Sequence, residues 1–257
     1  KLIVEEIFKL IYNDAMKRFY VDKSQLNNNQ VVLDGSEHNH LKNVLRLNEG
    51  EEVIVVCGDE FDYICKISKI AKNNTLLEVV SKSENTYNPK ANVTVFQALT
   101  KSENMSLIVQ KLNELGVKTF VPFESRYITS KDKFNKQDKL QTVANQSVKQ
   151  CKRSIPMQVE KTLSFAKLVE SLSGFDVVIF ANETEKTKNL KDVKISHENK
   201  VAIIVGSEGG FSEDEIKEIE KQSNATSVSL GKRILRAETA SIALTGVVMY
   251  LMDEWNI

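Results

Sequence analysis

The chain has 257 residues, with 35 Lys and Arg against 35 Asp and Glu and a hydrophobic fraction of 41%. That length has room for one large or two modest domains with a substantial core, and the balanced charge gives no bulk sign of a nucleic-acid binder. No run of about eighteen apolar residues occurs, which excludes a membrane-spanning helix; Cys57, Cys65 and Cys151 form no CxxC pair, which argues against a disulfide framework and for a reducing, cytoplasmic compartment.

Residues 1–15, KLIVEEIFKLIYNDA, lack the basic start and small-residue cleavage site of a secretory signal. They read as sequence upstream of a natural start at Met16 rather than as a short amphipathic helix. From Met16 to about Val80 short strands (KRFYV, VVL, EEVIVVC, FDYICKI, TLLEVV) alternate with turn signals such as Asp34-Gly35, Gly58-Asp59 and Asn73-Asn74. One helix from Ser36 through HLKNVLRL interrupts them, and the whole predicts a small β-barrel or sandwich. His38 and His40, two apart, suit neither a zinc site nor a catalytic pair, so no metal is expected and both read as ordinary surface or partly buried residues.

The polar segment SKSENTYNPK, Ser81 to Lys90, reads as a linker. Beyond it the grammar changes to strand VTVFQAL, helix SENMSLIVQKLNELG, strand KTFVPF, a helix over about 135–152, a short extended stretch and a helix over about 165–172. Strands DVVIFA and VAIIVG, a helix over 213–222, the strand SVSL and a helix over about 236–255 complete it. Strands alternating with helices of this length predict a doubly wound α/β sheet. Between Arg126 and Arg153 eight basic residues face two acidic ones, a cluster that fits a phosphate backbone or, more blandly, a solvated helix face.

The stretch VAIIVGSEGGFSEDEI runs from a buried-strand pattern through Gly206, Gly209 and Gly210 into a helix opened by the capping box Ser212 and Glu215. Such turns often cradle phosphates. Here Glu208, Glu213, Asp214 and Glu215 already place negative charge there, and neither GxxxxGK[ST] nor GxGxxG is present, so a neutral or cationic ligand fits better than a triphosphate. A tight turn with no ligand is the alternative at this point. In the final helix Ala240, Ala243, Leu244, Val247, Val248 and Leu251 form one apolar face, and Leu230 to Leu235 before it can wall an apolar ring.

GSEGGFSEDE (206–215) and LGKRILRAETA (230–240) resemble the two signature segments of the RsmE-type 16S ribosomal RNA uridine N3-methyltransferases of the SPOUT superfamily. MKRFYV, LNELGVKTFVPFESRY and QCKRSIP are similar to further family segments, so the resemblance runs from Met16 to the end. QCKR is preferred to the neighbouring QSVK as the glutamine motif because it keeps the arginine and reaches Pro156. The family usually has proline where this chain has Ser207, which is expected to loosen the turn.

The resemblance implies a PUA-like RNA-binding β-barrel over 16–82, a linker over 83–90, and over 91–257 a SPOUT-type parallel-sheet domain whose end forms a deep trefoil knot. It also implies a homodimer, S-adenosylmethionine as donor, and 16S ribosomal RNA within the small subunit as substrate. The cofactor walls would be Ala181, Asn182 and Glu183; Val205, Gly206, Gly209 and Gly210; and Leu230, Gly231, Ile234, Leu235 and Ala240. Arg236 is expected to stabilise the uridine anion and Glu208, with Glu183 behind it, to take the N3 proton; either could instead be a structural ion-pair member. Lys17, Arg18, Arg126, Gln150, Lys152 and Arg153 are the candidate RNA contacts. A SPOUT ribose 2′-O-methyltransferase and a non-catalytic RNA-binding assembly factor are the competing readings, whereas a hydrolase is disfavoured because no GxSxG or Cys-His signature is present.

Overall fold

In a computed structural model, residues 16–128 and 137–255 are described, and they divide into two compact units. The first takes the described chain up to Asn88 together with Val148–Pro156; the second takes Pro89–Ser147 and everything from Met157 onward. Among the described residues no helix is long and apolar enough to cross a membrane. Residues 1–15 and the lysines Lys131, Lys133 and Lys136 of the basic cluster lie outside the described residues.

The first unit is built on one six-stranded sheet. Its strands are β1 (Arg18–Tyr20), β2 (Leu26–Asn27), β3 (Gln30–Leu33), β4 (Glu52–Val56), β5 (Phe61–Ile70) and β6 (Thr75–Glu84), in the order β1-β4-β5-β6-β3-β2. All neighbours are antiparallel except β1 and β4. Alternating residues of these strands, among them Phe19, Val31, Leu33, Val53, Val55, Cys65, Ile67 and Leu77, close one core with Leu41. Burial pushes the Cys57 thiol up to about 11 and the Cys65 thiol up to about 12, so both stay protonated at neutral pH.

Three local expectations are revised here. The helix expected to run through Leu47 is the short α1 (Gly35–Asn39) followed by one π-helical turn, His40–Val44. The linker start is still sheet: β6 continues to Glu84 because Ser81, Lys82, Ser83 and Glu84 pair with Ile64, Tyr63, Asp62 and Phe61 of β5. His38 is buried, with Nδ1 against the Thr75 hydroxyl at 2.8 Å and Nε2 at 3.2 Å from the Lys72 carbonyl.

The QCKRSIP segment, placed by sequence in the second domain, is sewn into the first unit. Val148 packs on the face of β4 that carries Ile54 and Val56. The backbone N–H groups of Ser154 and Ile155 donate to Asn88 Oδ1 at 3.1 and 3.0 Å, and the Ser154 hydroxyl donates to the Asp59 carbonyl at 2.5 Å. The Lys152 carbonyl accepts from Arg18 at 3.3 Å and from Asn85 Nδ2 at 2.9 Å. Arg18 itself makes a two-pronged pair with Asp62, at 3.0 and 2.6 Å, with only 8% of its side chain exposed.

Arg18 is therefore a structural ion-pair member rather than a free phosphate contact. Arg18→Ala is expected to cost about 3–5 kcal/mol in urea unfolding, because it strands the Asp62 carboxylate in the interior. A variant as stable as wild type but weaker for RNA would reverse that assignment.

The second unit is a parallel sheet. Its path runs β10 (Leu163–Ser164), β8 (Thr119–Glu124), β7 (Asn92–Ala98), β12 (Lys200–Val205), β11 (Val177–Ala181), β13 (Ala225–Val228), with β9 (Gln158–Val159) also pairing β8. The continuous apolar runs VVIFA and VAIIV follow from burial on both faces. Along β12, Val201, Ile203 and Val205 enter one cluster and Ala202 and Ile204 the other.

The first face is covered by α2 (Ser102–Glu114), α3 (Gln137–Cys151) and the C-terminal α6 (Ala237–Leu251), through Met105, Ile108, Leu112, Leu140, Ala144, Leu244 and Val248. The opposite face is covered by α4 (Phe165–Ser171) and α5 (Glu213–Glu220), through Leu168 and Ile219. This is the doubly wound arrangement the strand and helix alternation predicts.

Candidate functional site

Strand order reverses between β7 and β12, and open α/β sheets hold ligands outside the carboxyl ends of strands near such a point. A cavity of about 320 Å³ lies there, walled by three segments that each leave the C-terminal end of a strand: Ala181–Thr184 after β11, Val205–Phe211 after β12 and Ser229–Ala237 after β13, with Ala240 from α6. Every residue assigned to the cofactor walls by sequence lines it except Gly209. Arg236 and Glu208 line it as well, beside Glu183.

Each wall is held by local chemistry. After β11, the buried Asn182 accepts from the N–H and hydroxyl of Thr184 at 3.0 and 2.9 Å, which bends the chain away from the strand. The Ser229 N–H donates to Lys188 O at 3.0 Å, tying the third wall to the loop that follows the first. After β12 the chain turns at once: Gly210 has a φ of +68°, and its N–H donates to Ser207 O at 3.0 Å. Helix α5 then opens with the expected capping box, Glu215 Oε2 accepting from the Ser212 N–H and hydroxyl at 2.9 and 3.1 Å.

Ser207 does not loosen the turn. Its hydroxyl accepts from the Gly209 N–H at 3.3 Å and donates to Tyr127 O at 3.0 Å, so two hydrogen bonds fasten the position where a proline ring would restrict φ.

The wall has a support that sequence reasoning missed. Gln97, at the end of β7 and fully buried, donates from Nε2 to Gly206 O at 3.0 Å and to Ala98 O at 3.1 Å, with Val205 O at 3.5 Å. A glutamine inside an apolar strand run is the one signal that could have pointed to it, since a buried amide needs partners. Gln97→Leu frees those carbonyls in the interior and is expected to lower stability by about 1–3 kcal/mol and to weaken ligand binding at the wall, read by thermal unfolding and titration calorimetry. Unchanged binding would confine Gln97 to a packing role.

Glu208 and Arg236 are exposed, and among the described residues no ion pair or hydrogen bond to either side chain is present. Arg236 stands at the N-cap of α6 with its side chain outside the cap, and its carbonyl accepts from the Ala240 N–H at 2.8 Å. The cavity thus combines apolar walls from Val205, Phe211, Leu230, Ile234 and Leu235 with two carboxylates and the cations Lys232, Arg233 and Arg236.

Lys17 and Gln150 are exposed, Lys152 is half-buried with its ammonium 5.4 Å from the Tyr87 ring centre, and Arg153 is 3% exposed with Nε donating to Ile155 O at 3.0 Å. Arg153, like Arg18, is thereby corrected to an interior role. Arg126 is exposed and pairs with the equally exposed Asp214 at 3.1 Å, a pair that solvent screens.

The RNA methyltransferase domain family matches residues 86–249, well over half of the chain, and the RNA methyltransferase PUA domain family matches residues 33–80. A relative from Mesomycoplasma hyopneumoniae (strain 232), named ribosomal RNA small subunit methyltransferase E, is 31% identical over 89% of this chain and 97% of its own length. The chain belongs to that methyltransferase family. The Aquifex aeolicus member is 30% identical over 91% of this chain and 99% of its own length. A crystal structure of the Neisseria gonorrhoeae member bound to S-adenosyl methionine has a TM-score of 0.82 at 23% identity, over 92% of this chain and 98% of the other, and so shares the fold. In the family frame, the N-terminal sheet is the PUA domain and the parallel-sheet unit the methyltransferase domain. The sheet expected as a barrel is an open path of six strands, with no ladder joining β1 to β2 among the described residues.

Proposed function

We propose that this protein transfers a methyl group from S-adenosylmethionine to N3 of a uridine in 16S ribosomal RNA of the small subunit, acting in the cytoplasm as a homodimer with its C-terminal segment threaded as a trefoil knot. The observation that carries this reading is the cavity at the ends of β11, β12 and β13. Three separate segments converge there on apolar walls, two carboxylates and a guanidinium with no ion-pair partner among the described residues, in a chain of this methyltransferase family.

The residues present fit that cofactor. Glu183 and Glu208 supply anionic oxygen for a cationic ligand, and Leu230, Ile234, Leu235 and Ala240 supply an apolar slot for a flat ring, with the backbone of the loop for its polar edges. When bound, the cofactor supplies an electrophilic methyl group on a sulfonium. The chain's own task is to make the uridine nitrogen nucleophilic. N3 carries a proton at neutral pH, and removing it spreads negative charge over O2 and O4. In this reading Glu208, with Glu183 as the second candidate, accepts the N3 proton, and the Arg236 guanidinium stabilises the oxygen charge as it develops. Because N3 lies on the Watson–Crick edge, the target base must be unpaired or flipped out.

The test is transfer of labelled methyl from S-adenosylmethionine to small ribosomal subunits lacking the modification, with naked 16S ribosomal RNA alongside, followed by nucleoside mass analysis. Label on uridine N3 is the expected result. Label on a ribose 2′-oxygen would replace the base-methylation reading, and cofactor binding without transfer to either substrate would remove this RNA as the substrate.

A further inference from the structure

The glycine turn after β12 has an outer side as well as the inner one that walls the cavity, and the residue packed on it is Tyr127. A Cβ added at Gly209 would sit 2.8 Å from Tyr127 Cβ and 3.3 Å from its carbonyl oxygen, a separation no side chain tolerates against backbone and Cβ atoms. Gly209 is thus a glycine because Tyr127 lies directly on it. The carbonyl of Tyr127 accepts from the Ser207 hydroxyl at 3.0 Å, and the N–H of the preceding Arg126 donates to Glu215 Oε1 at 2.9 Å. That same carboxylate caps α5 through its other oxygen.

The backbone of Tyr127 is therefore clamped to the glycine turn and to the helix cap by contacts that do not involve its ring. The ring contributes little to the fold: the residue is 48% exposed, and among the described residues its ring is in no aromatic pair. Beside it stands the Arg126 side chain, 61% exposed. A half-exposed aromatic on an ordered backbone, following the exposed Arg126 in the chain and packed on the glycine turn that walls the cavity, has the chemistry of a stacking platform for an unpaired base. Aromatic rings bind any base through its face, at low entropic cost when the backbone is already ordered.

We propose that Tyr127 is a substrate-contact residue whose ring stacks on an unpaired base of the RNA strand flanking the target nucleotide. Tyr127 packs on the turn at Gly209 and does not itself line the cavity, so the base it takes is a neighbour of the methylated one. This inference rests on the RNA-methylation reading above and adds to it a residue that positions the strand.

Alanine at this position keeps the carbonyl that Ser207 holds and the Cβ that meets Gly209, so Tyr127→Ala removes the ring alone. With small ribosomal subunits as substrate, KM is expected to rise by about fivefold to a hundredfold, with a much smaller change in kcat and no change in the cofactor dissociation constant measured by calorimetry. Tyr127→Phe is expected to restore KM, and Tyr127→Leu to behave like alanine. An unchanged KM in the alanine variant, leucine serving as well as phenylalanine, or a parallel loss of cofactor affinity would each overturn the proposal. Equilibrium binding of the same subunits is measured in parallel. If the wild-type protein binds subunits without methylating them, the methyl-transfer reading fails on its own, and the stacking contact is judged by whether the alanine variant loses binding.

Discussion

Replacing Arg236 with alanine is expected to lower methyl transfer by about a hundredfold or more while cofactor binding stays measurable. Its structural work at the start of α6 is done by the backbone, through the carbonyl that accepts from Ala240, and the side chain makes no cap. Truncation therefore spares the helix and removes a guanidinium that lines the cavity and is engaged by no carboxylate among the described residues. A charge with no structural partner is free to meet charge that appears only in the transition state, and such contacts affect kcat rather than ground-state binding. Arg236→Lys keeps the charge but loses the planar fork, and is expected to recover only part of the rate. Single-turnover methyl transfer with calorimetry on the same preparations checks both variants; full turnover in Arg236→Ala would take the residue out of the mechanism.

Gly210→Val is the second change with a large expected effect. The position has a φ of +68°, and an added Cβ would come within 3.1 Å of Glu183 Oε1, so a β-branched side chain is strained by the backbone and crowds a carboxylate of the opposite wall. The strain of forcing an ordinary residue into such a conformation is roughly 1–2 kcal/mol, enough to disfavour the turn without unfolding a sheet whose core lies elsewhere. Cofactor affinity is expected to fall by about tenfold or more, with the far-ultraviolet circular dichroism unchanged. Normal affinity in a folded variant would mean that this turn is not a cofactor wall.

These two positions also show how the site is divided between kinds of information. Gly210 and the capping box of Ser212 and Glu215 are local: a turn that needs positive φ and a helix that needs its first amides satisfied impose residue types three or four positions apart. The apolar runs of β11 and β12 are local too, because a strand buried on both faces is apolar at successive positions. Hence the α/β alternation and the main strands and helices of the second unit were legible in the order of residues, whereas the convergence of the three loops was an expectation of the family resemblance alone. The resemblance carried by 206–215 and 230–240 supplied the ligand and the reaction, which no periodicity states.

What only the tertiary structure decided are the partnerships between residues distant in the chain. Nothing near Arg18 announces that Asp62, forty-four positions on, buries it, and a basic residue in MKRFYV reads as an RNA contact until that pair is seen. Nothing in QCKRSIP says that it packs on β4 of the first unit, and nothing in the polar letters of Ser81–Glu84 says that β5 offers them a ladder. Gln97 is a polar letter in an apolar run until the carbonyls of Gly206 and Ala98 are placed around its amide, and Ser207 is a missing proline until its hydroxyl meets Gly209 and Tyr127. Sequence by itself determined where this chain forms helices, strands and tight turns, because those depend on neighbours within a few residues. The tertiary fold decided which charges are spent on structure and which are left facing the cavity, because pairing and burial depend on distances in space.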